Sequence, residues 1–391
     1  MIRISLQNFT TIRSSPISAL LLIGFLGTTI QAFAASGGTG TFTITGSLNT
    51  ARYDHTATLL PNGEVLVVGG IGVNGNYTSL ASAELYDPQK GKWTTTGSMS
   101  VGRTGLTATL LPNGLVLVAG GSDYYVNCYA TAELYNPSTG QWTLTGSMSQ
   151  PRCLHSATLL PNGEVLVSGG VNSIYDYSRP TVSSAEIYNP HTGTWAPTGS
   201  LEVSRASAAT LLLENGQVLT AGGYNNTGNN NPNTYLTSAE LFNSSTGTWS
   251  LTTSMSPGAG LPTTPVLLSD GDMLIANDAQ FYIPNTASWA ATGALPTVAF
   301  PPTKATILSN GNALGTGCQC KSSKYYNCHF VPTATAYLYN FSGNTWSQTG
   351  SMNFPRFSQT MTLLPSGEVL VVGGYYGIYR TALSSAELYT P

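Results

Sequence analysis

Charge is what this sequence has least of. Asp, Glu, Lys and Arg together make up 8% of its 391 residues, roughly a third of the share usual in soluble domains. Helix bundles and coiled coils need those residues on their outer faces, and charge-rich disorder needs them throughout, so both are excluded. With a formal net charge of −3 there is no excess of basic groups to hold a polyanion, which argues against a nucleic-acid partner. After residue 34 no apolar run approaches the length of a bilayer-spanning helix, so no membrane span is expected in the mature chain.

The N-terminus is the exception to that last point. Its first 16 residues carry Arg3 and Arg13 and no acid, residues 17–30 are mostly apolar but broken by Gly24 and Gly27, and Ala32-Phe33-Ala34 places small residues where a signal peptidase reads them. The pattern predicts a signal peptide over 1–34, a short linker over 35–40, and a mature chain that is secreted or periplasmic, in an oxidising compartment.

Glycine (43 residues), proline (22) and tyrosine (21) are abundant, as suits many short strands joined by turns. One phrase returns along the chain: Ala57-Thr-Leu-Leu-Pro-Asn-Gly-Glu-Val-Leu-Val-Val-Gly-Gly70, then Ser82-Ala-Glu-Leu-Tyr-Asp-Pro88, then Gly91-Lys-Trp93. The second glycine of the doublet recurs at Gly121, Gly170, Gly223 and Gly374, a period of ~50 residues with the last step three periods long. Weaker copies around Trp289 and Trp346 fill that gap, giving seven repeats. Each holds four strand-like runs, a to d; in the first unit they are His55 to Leu60, Glu64 to Val68, Ser82 to Tyr86 and Lys92 to Thr96.

A four-stranded unit of this period, with Gly-Gly after b, Tyr in c and Trp in d, resembles the kelch repeat of kelch β-propellers and of the central domain of galactose oxidases. The resemblance covers residues 41–391 and implies an all-β, seven-bladed propeller. In such a blade the Gly-Gly turns with positive φ where a side chain would strike the next blade, and the aromatic residues fill the space between blades. Residues 41–47 match a d strand with Phe42 in place of Trp, so residues 41–46 are expected to pair with Ser385–Tyr389 and close the ring.

Arg stands at the start of strand a in five repeats, as Arg52, Arg103, Arg152, Arg205 and Arg356, and Glu in strand c of the same five, as Glu84, Glu133, Glu186, Glu240 and Glu387. Repeats five and six lack both. Joint loss is what a buried charge pair shows, because an orphaned partner costs more than deleting both, so each Arg is expected to pair with the Glu of its own repeat. The alternative is a ring of arginines gripping an anion.

In a propeller the d–a and b–c connections share one face and the a–b and c–d turns the other. Here the a–b turns are near-identical Pro-Asn-Gly triplets, which is scaffold, whereas the b–c connections are long, unlike one another and rich in Tyr and Asn, a mixture suited to sugars and protein surfaces. Blade five has lost its Gly-Gly and has a short Trp249-to-Trp289 interval, so its rim is expected to be low beside a raised blade-six loop. Such a notch places the ligand contacts on Tyr325, Tyr326, Tyr375, Tyr376 and Arg380. The five cysteines share this face: Cys128 and Cys153 lie on adjacent loops, and Cys318, Cys320 and Cys328 on the blade-six loop. Export favours two disulfides and one remaining thiol, and the spacing of the blade-six cluster fits no standard metal site, so neither metal nor cofactor is expected.

Galactose oxidases hold copper through two tyrosines and two histidines, one of them from a domain after the propeller. This sequence has nothing after its seventh repeat, no Tyr-His pair and only 4 histidines, of which His55 and His155 read as inner-strand filler. Exported kelch proteins also include sialic-acid epimerases, which need little beyond an acid and a base. The expectation is a monomeric, non-catalytic binding module for carbohydrate or protein, with an epimerase-like sugar enzyme as the alternative.

Overall fold

The computed structural model describes residues 40–391 apart from 74–76, 125–126, 174–179, 228–232, 257–263, 297–301, 324–325 and 378, and without the side chains of 318–330. Its strands form seven four-stranded antiparallel sheets, the blades of a propeller. In blade one the strands are Thr56–Leu59, Val65–Val68, Ala83–Asp87 and Lys92–Thr96, paired in sequence order. Strand b is buried along its whole length, because it lies mid-sheet between two neighbouring blades; hence an unbroken apolar run rather than alternation. Strand d runs at the rim and buries Trp93 while Lys92, Thr94 and Thr95 face water.

The ring is built from contacts between blades. Leu66 and Val68 of blade one cluster with Val116, Val118 and Tyr135 of blade two, and strand-a segments of successive blades pack side by side around a central channel. The strand-c tyrosines reach the preceding blade: the Tyr86 and Tyr135 hydroxyls hydrogen-bond the hydroxyls of Thr45 and Thr96 at 2.7 and 2.9 Å. Trp93 and Trp142 Nε1 donate to the Gly46 and Gly97 carbonyls, both at 2.8 Å. At the doublet, Gly69 has φ 70° and a Cβ there would lie 2.7 Å from the Arg103 carbonyl of the next blade, so glycine is required twice over.

Blade seven takes its fourth strand from the other end of the described chain. Thr41–Thr45 pairs antiparallel with Ala386–Thr390, from Thr41 opposite Thr390 to Thr45 opposite Ala386, with Phe42 packed 4.8 Å from the Tyr389 ring.

Two b–c connections differ in kind from the rest. Blade five replaces its loop with a single 3-10 turn, Ala276–Asp278. Blade six has no loop in the expected sense: Ala313–Ser323 and Tyr326–Asn340 continue as one long ribbon, which satisfies backbone groups that an irregular loop would leave to water. Among the described residues no helix is long and apolar enough to cross a membrane.

Candidate functional site

The five arginines are sealed inside their blades. Nη2 of Arg52, Arg103, Arg152, Arg205 and Arg356 lies 2.9, 3.0, 2.8, 2.7 and 2.6 Å from a carboxylate oxygen of Glu84, Glu133, Glu186, Glu240 and Glu387 respectively. Nη1 of Arg52 donates to the Gly69 and Ser82 carbonyls, and Glu84 also accepts from the Asn49 and Thr50 backbone N–H groups. Each pair therefore ties the doublet, strand c and the d–a connection together, and offers no guanidinium to a ligand. In blade five Gln280 inherits part of the role, accepting from the Ser256 N–H at 2.9 Å, which a neutral amide can do without an arginine.

Cys128 and Cys153 form a disulfide between the b–c connection of blade two and the following d–a connection. The side chains of Cys318, Cys320 and Cys328 lie outside the described residues, as do Tyr325 and the side chain of Tyr326.

The remaining ligand-contact candidates sit where blades seven, one and two meet. Tyr375 is only 7% exposed; its ring packs 5.1 Å from Tyr53 and 5.5 Å from Phe357, which leaves little of it open to a ligand. Tyr376 is 46% exposed and Tyr379 80%. Tyr77, which the contact candidates omit, stacks on Tyr124 at 5.4 Å and donates to the Tyr379 carbonyl at 2.5 Å. Arg380 adopts φ 48°, a left-handed conformation, and carries its guanidinium 5.6 Å from the centre of the Tyr375 ring.

Below this rim the channel mouth is made by a left-handed turn at the start of strand a, repeated as Asp54, Gly105, Leu154, Ser207 and Ser358. Neighbouring turns hydrogen-bond: the Leu154 and Ser207 N–H groups donate to the Gly105 and Leu154 carbonyls at 3.0 and 2.9 Å, and that of Asp54 to Ser358 at 3.3 Å. Asp54 is the only acid at this position in the seven repeats. Blade six departs from the pattern, with strand a beginning earlier, as Pro302–Ile307, and placing Lys304 where other blades have Thr56, Thr107, Ser156, Ala209, Thr264 and Thr360. Asp54 and Lys304 both touch water, yet protein surrounds them as it surrounds any group in a narrow channel. Burial raises the Asp54 pKa, against the pull of the Ser358 hydroxyl, Lys304 and Arg380. Burial likewise lowers that of Lys304, opposed by Asp54.

His55 and His155 wedge between blades beside the channel, Nε2 lying 3.0 Å from the Thr360 and Thr107 hydroxyls. Their Nδ1 atoms are buried without partners, and burial followed by the adjacent Arg52 or Arg152 holds both rings neutral, His155 pushed down to about 3. Among the described residues no three His, Cys, Asp or Glu side chains gather to hold a metal. On the opposite face a groove of ≈ 820 Å³ lies among Pro61, Glu64, Asp87, Pro88, Leu364 and Glu368. Its carboxylates serve their own turns, Glu64 accepting from Asn62 and Asp87 from Lys90.

Lys304 is the residue that sequence reading passed over. Its signal is a charged side chain at a repeat position otherwise held by small ones.

Comparison with known proteins agrees with this architecture. The Kelch motif family matches residues 52–100, 104–149, 151–202 and 215–256. An F-box/kelch-repeat protein of Arabidopsis thaliana is 40% identical over 79 residues, 20% of this chain and 20% of that protein; the chain thus spans about a fifth of the curated relative it matches. The solved structure of YjhT is similar at TM-score 0.56 and 15% identity, over 88% of this chain and 95% of that one. The recurring motif, the matched segments and the closed ring make the chain a seven-bladed β-propeller built from kelch repeats.

Proposed function

We propose that the protein is an exported, non-catalytic binding module that takes carbohydrate on its b–c face, around the mouth of the channel. The observation that carries this reading is the aromatic rim at the junction of blades seven, one and two: Tyr77 stacked on Tyr124, exposed Tyr376 and Tyr379, and Arg380 held beside them. Flat rings with a polar edge suit the apolar face and hydroxyls of a sugar, and they lose little side-chain entropy on binding. Export is supported by the signal-like N-terminus and by the Cys128–Cys153 disulfide, a bond that persists in oxidising compartments.

A protein ligand is the second reading, since exposed tyrosine and arginine are also the residues that anchor protein interfaces. A glycan array followed by calorimetry on the mature protein separates the two. Tyr376→Ala and Arg380→Ala should each weaken glycan binding about tenfold, the loss of one contact worth ~1.4 kcal/mol. Glycan binding that survives both changes in folded protein would place the site elsewhere, and an array with no binder would leave the protein-ligand reading in its place.

A further inference from the structure

Lysine is scarce in this chain. Of five, Lys90, Lys92 and Lys321 lie on turn, strand-d and ribbon segments, Lys324 lies outside the described residues, and among the described lysines Lys304 alone belongs to a strand a. The fold does not ask for it, because six repeats build the same strand with Thr, Ser or Ala at that position. Among the described residues its side chain has no hydrogen bond or ion pair, Asp54 included, so it is not the cation of a structural bridge. The backbone is also re-aimed here: the pairing of strands a and b shifts between Pro302, opposite Gly317, and Lys304, opposite Thr316. A bulge of this kind turns a side chain and is over-represented beside functional sites. The same channel sector gathers Asp54, within electrostatic reach of Lys304 and of Arg380 at the rim and bonded to Ser358, and His55, within reach of Lys304.

We propose that Lys304 is a carbonyl-reactive amine that holds a small aldehyde or ketone, such as the open-chain form of a reducing sugar, as a reversible iminium in the channel mouth, with Asp54 as its proton carrier. The inference rests on the channel mouth being the ligand site, and adds covalent chemistry to it. Nζ of Lys304 adds to the carbonyl carbon while the carbonyl oxygen takes a proton from the Asp54 carboxyl. The nitrogen then returns a proton to the Asp54 carboxylate, leaving a neutral carbinolamine. The same carboxyl protonates the hydroxyl, which leaves as water as the nitrogen lone pair closes the C=N bond. Atoms and charge balance without an oxidant or reductant. The environment leans toward the step: burial lowers the Lys304 pKa, which favours the neutral nucleophilic amine, and raises that of Asp54, which favours the protonated carboxyl.

Reductive trapping tests this. The mature protein is incubated with glycolaldehyde and sodium cyanoborohydride, and modified lysines are mapped by mass spectrometry. Lys304 should carry more adduct than Lys90 or Lys92, because burial lowers the pKa of its amine whereas the Asp87 carboxylate raises that of Lys90. Lys304→Thr, the residue of the equivalent position in blades one, two, five and seven, should keep the fold and lose that adduct, and Lys304→Arg should keep the charge and lose it too. Asp54→Asn should slow trapping at Lys304 without slowing it at Lys90. Adduct spread evenly over the lysines, or absent from Lys304 while the glycans of the array still bind, would overturn the covalent step and leave the binding reading standing. Failure of both would remove the site.

Discussion

At the scale of the residue, stability rests on buried polar groups that are satisfied within their own blade. Glu133 accepts from Arg103 and from the Ser100 N–H, so Glu133→Ala leaves a guanidinium without its counter-charge, at ~3–5 kcal/mol. The double change Arg103→Met with Glu133→Leu should cost less than that single one in urea unfolding; the reverse order would mean the pair is not a closed unit. The histidines supply a second test. His155 has a folded pKa of about 3 against 6.5 for the free ring, so between those values the unfolded chain binds a proton the folded chain refuses. Stability should therefore fall as pH drops from about 6.5 toward 3. His155→Leu, which copies Leu106 at the equivalent place in blade two, should flatten that part of the profile, and an unchanged slope would contradict the buried-neutral assignment. The Arg–Glu pairs were legible because both partners vanish together in repeats five and six. Lys304 was not, because a lone departure from a repeat carries no partner to mark it.

At the scale of the element, the blade is a device for making neighbours touch through backbone. Gly69 and Gly63 separate the two reasons for glycine: both have positive φ, but a Cβ on Gly63 meets nothing within 4 Å whereas one on Gly69 strikes the Arg103 carbonyl. Gly63→Ala should cost ~1–2 kcal/mol of backbone strain, and Gly69→Ala clearly more when both are unfolded in urea. Equal costs would show that the doublet is kept for its conformation alone. The doublets, turns and aromatic positions could be read from the repeat because each has a fixed geometric task. The blade-six ribbon could not: Cys318 to Ala336 follows no repeat, and its strands are made by pairing with each other, a choice that local composition does not announce.

At the scale of the whole molecule, closure by Thr41–Thr45 joins the two ends of the ring through strand hydrogen bonds, so losing that strand bares the Ala386–Thr390 edge. A chain lacking residues 41–46 should unfold at lower urea concentration or aggregate, with the loss felt in all blades rather than in the seventh alone. An intact thermal transition in that truncated chain would count against the shared blade. The ring also sets near-identical turns on one face opposite connections that each differ, and this division was visible in the sequence, whereas the packing of Tyr375 against Tyr53 and Phe357 was not. Hydrogen–deuterium exchange, with and without a glycan from the array, tests that division most directly. The account predicts slowed exchange over Ile71–Val73, Tyr77–Ser79 and Tyr375–Tyr376, with none at the Pro61-Asn62-Gly63 and Pro365-Ser366-Gly367 turns. Protection confined to those turns would contradict it.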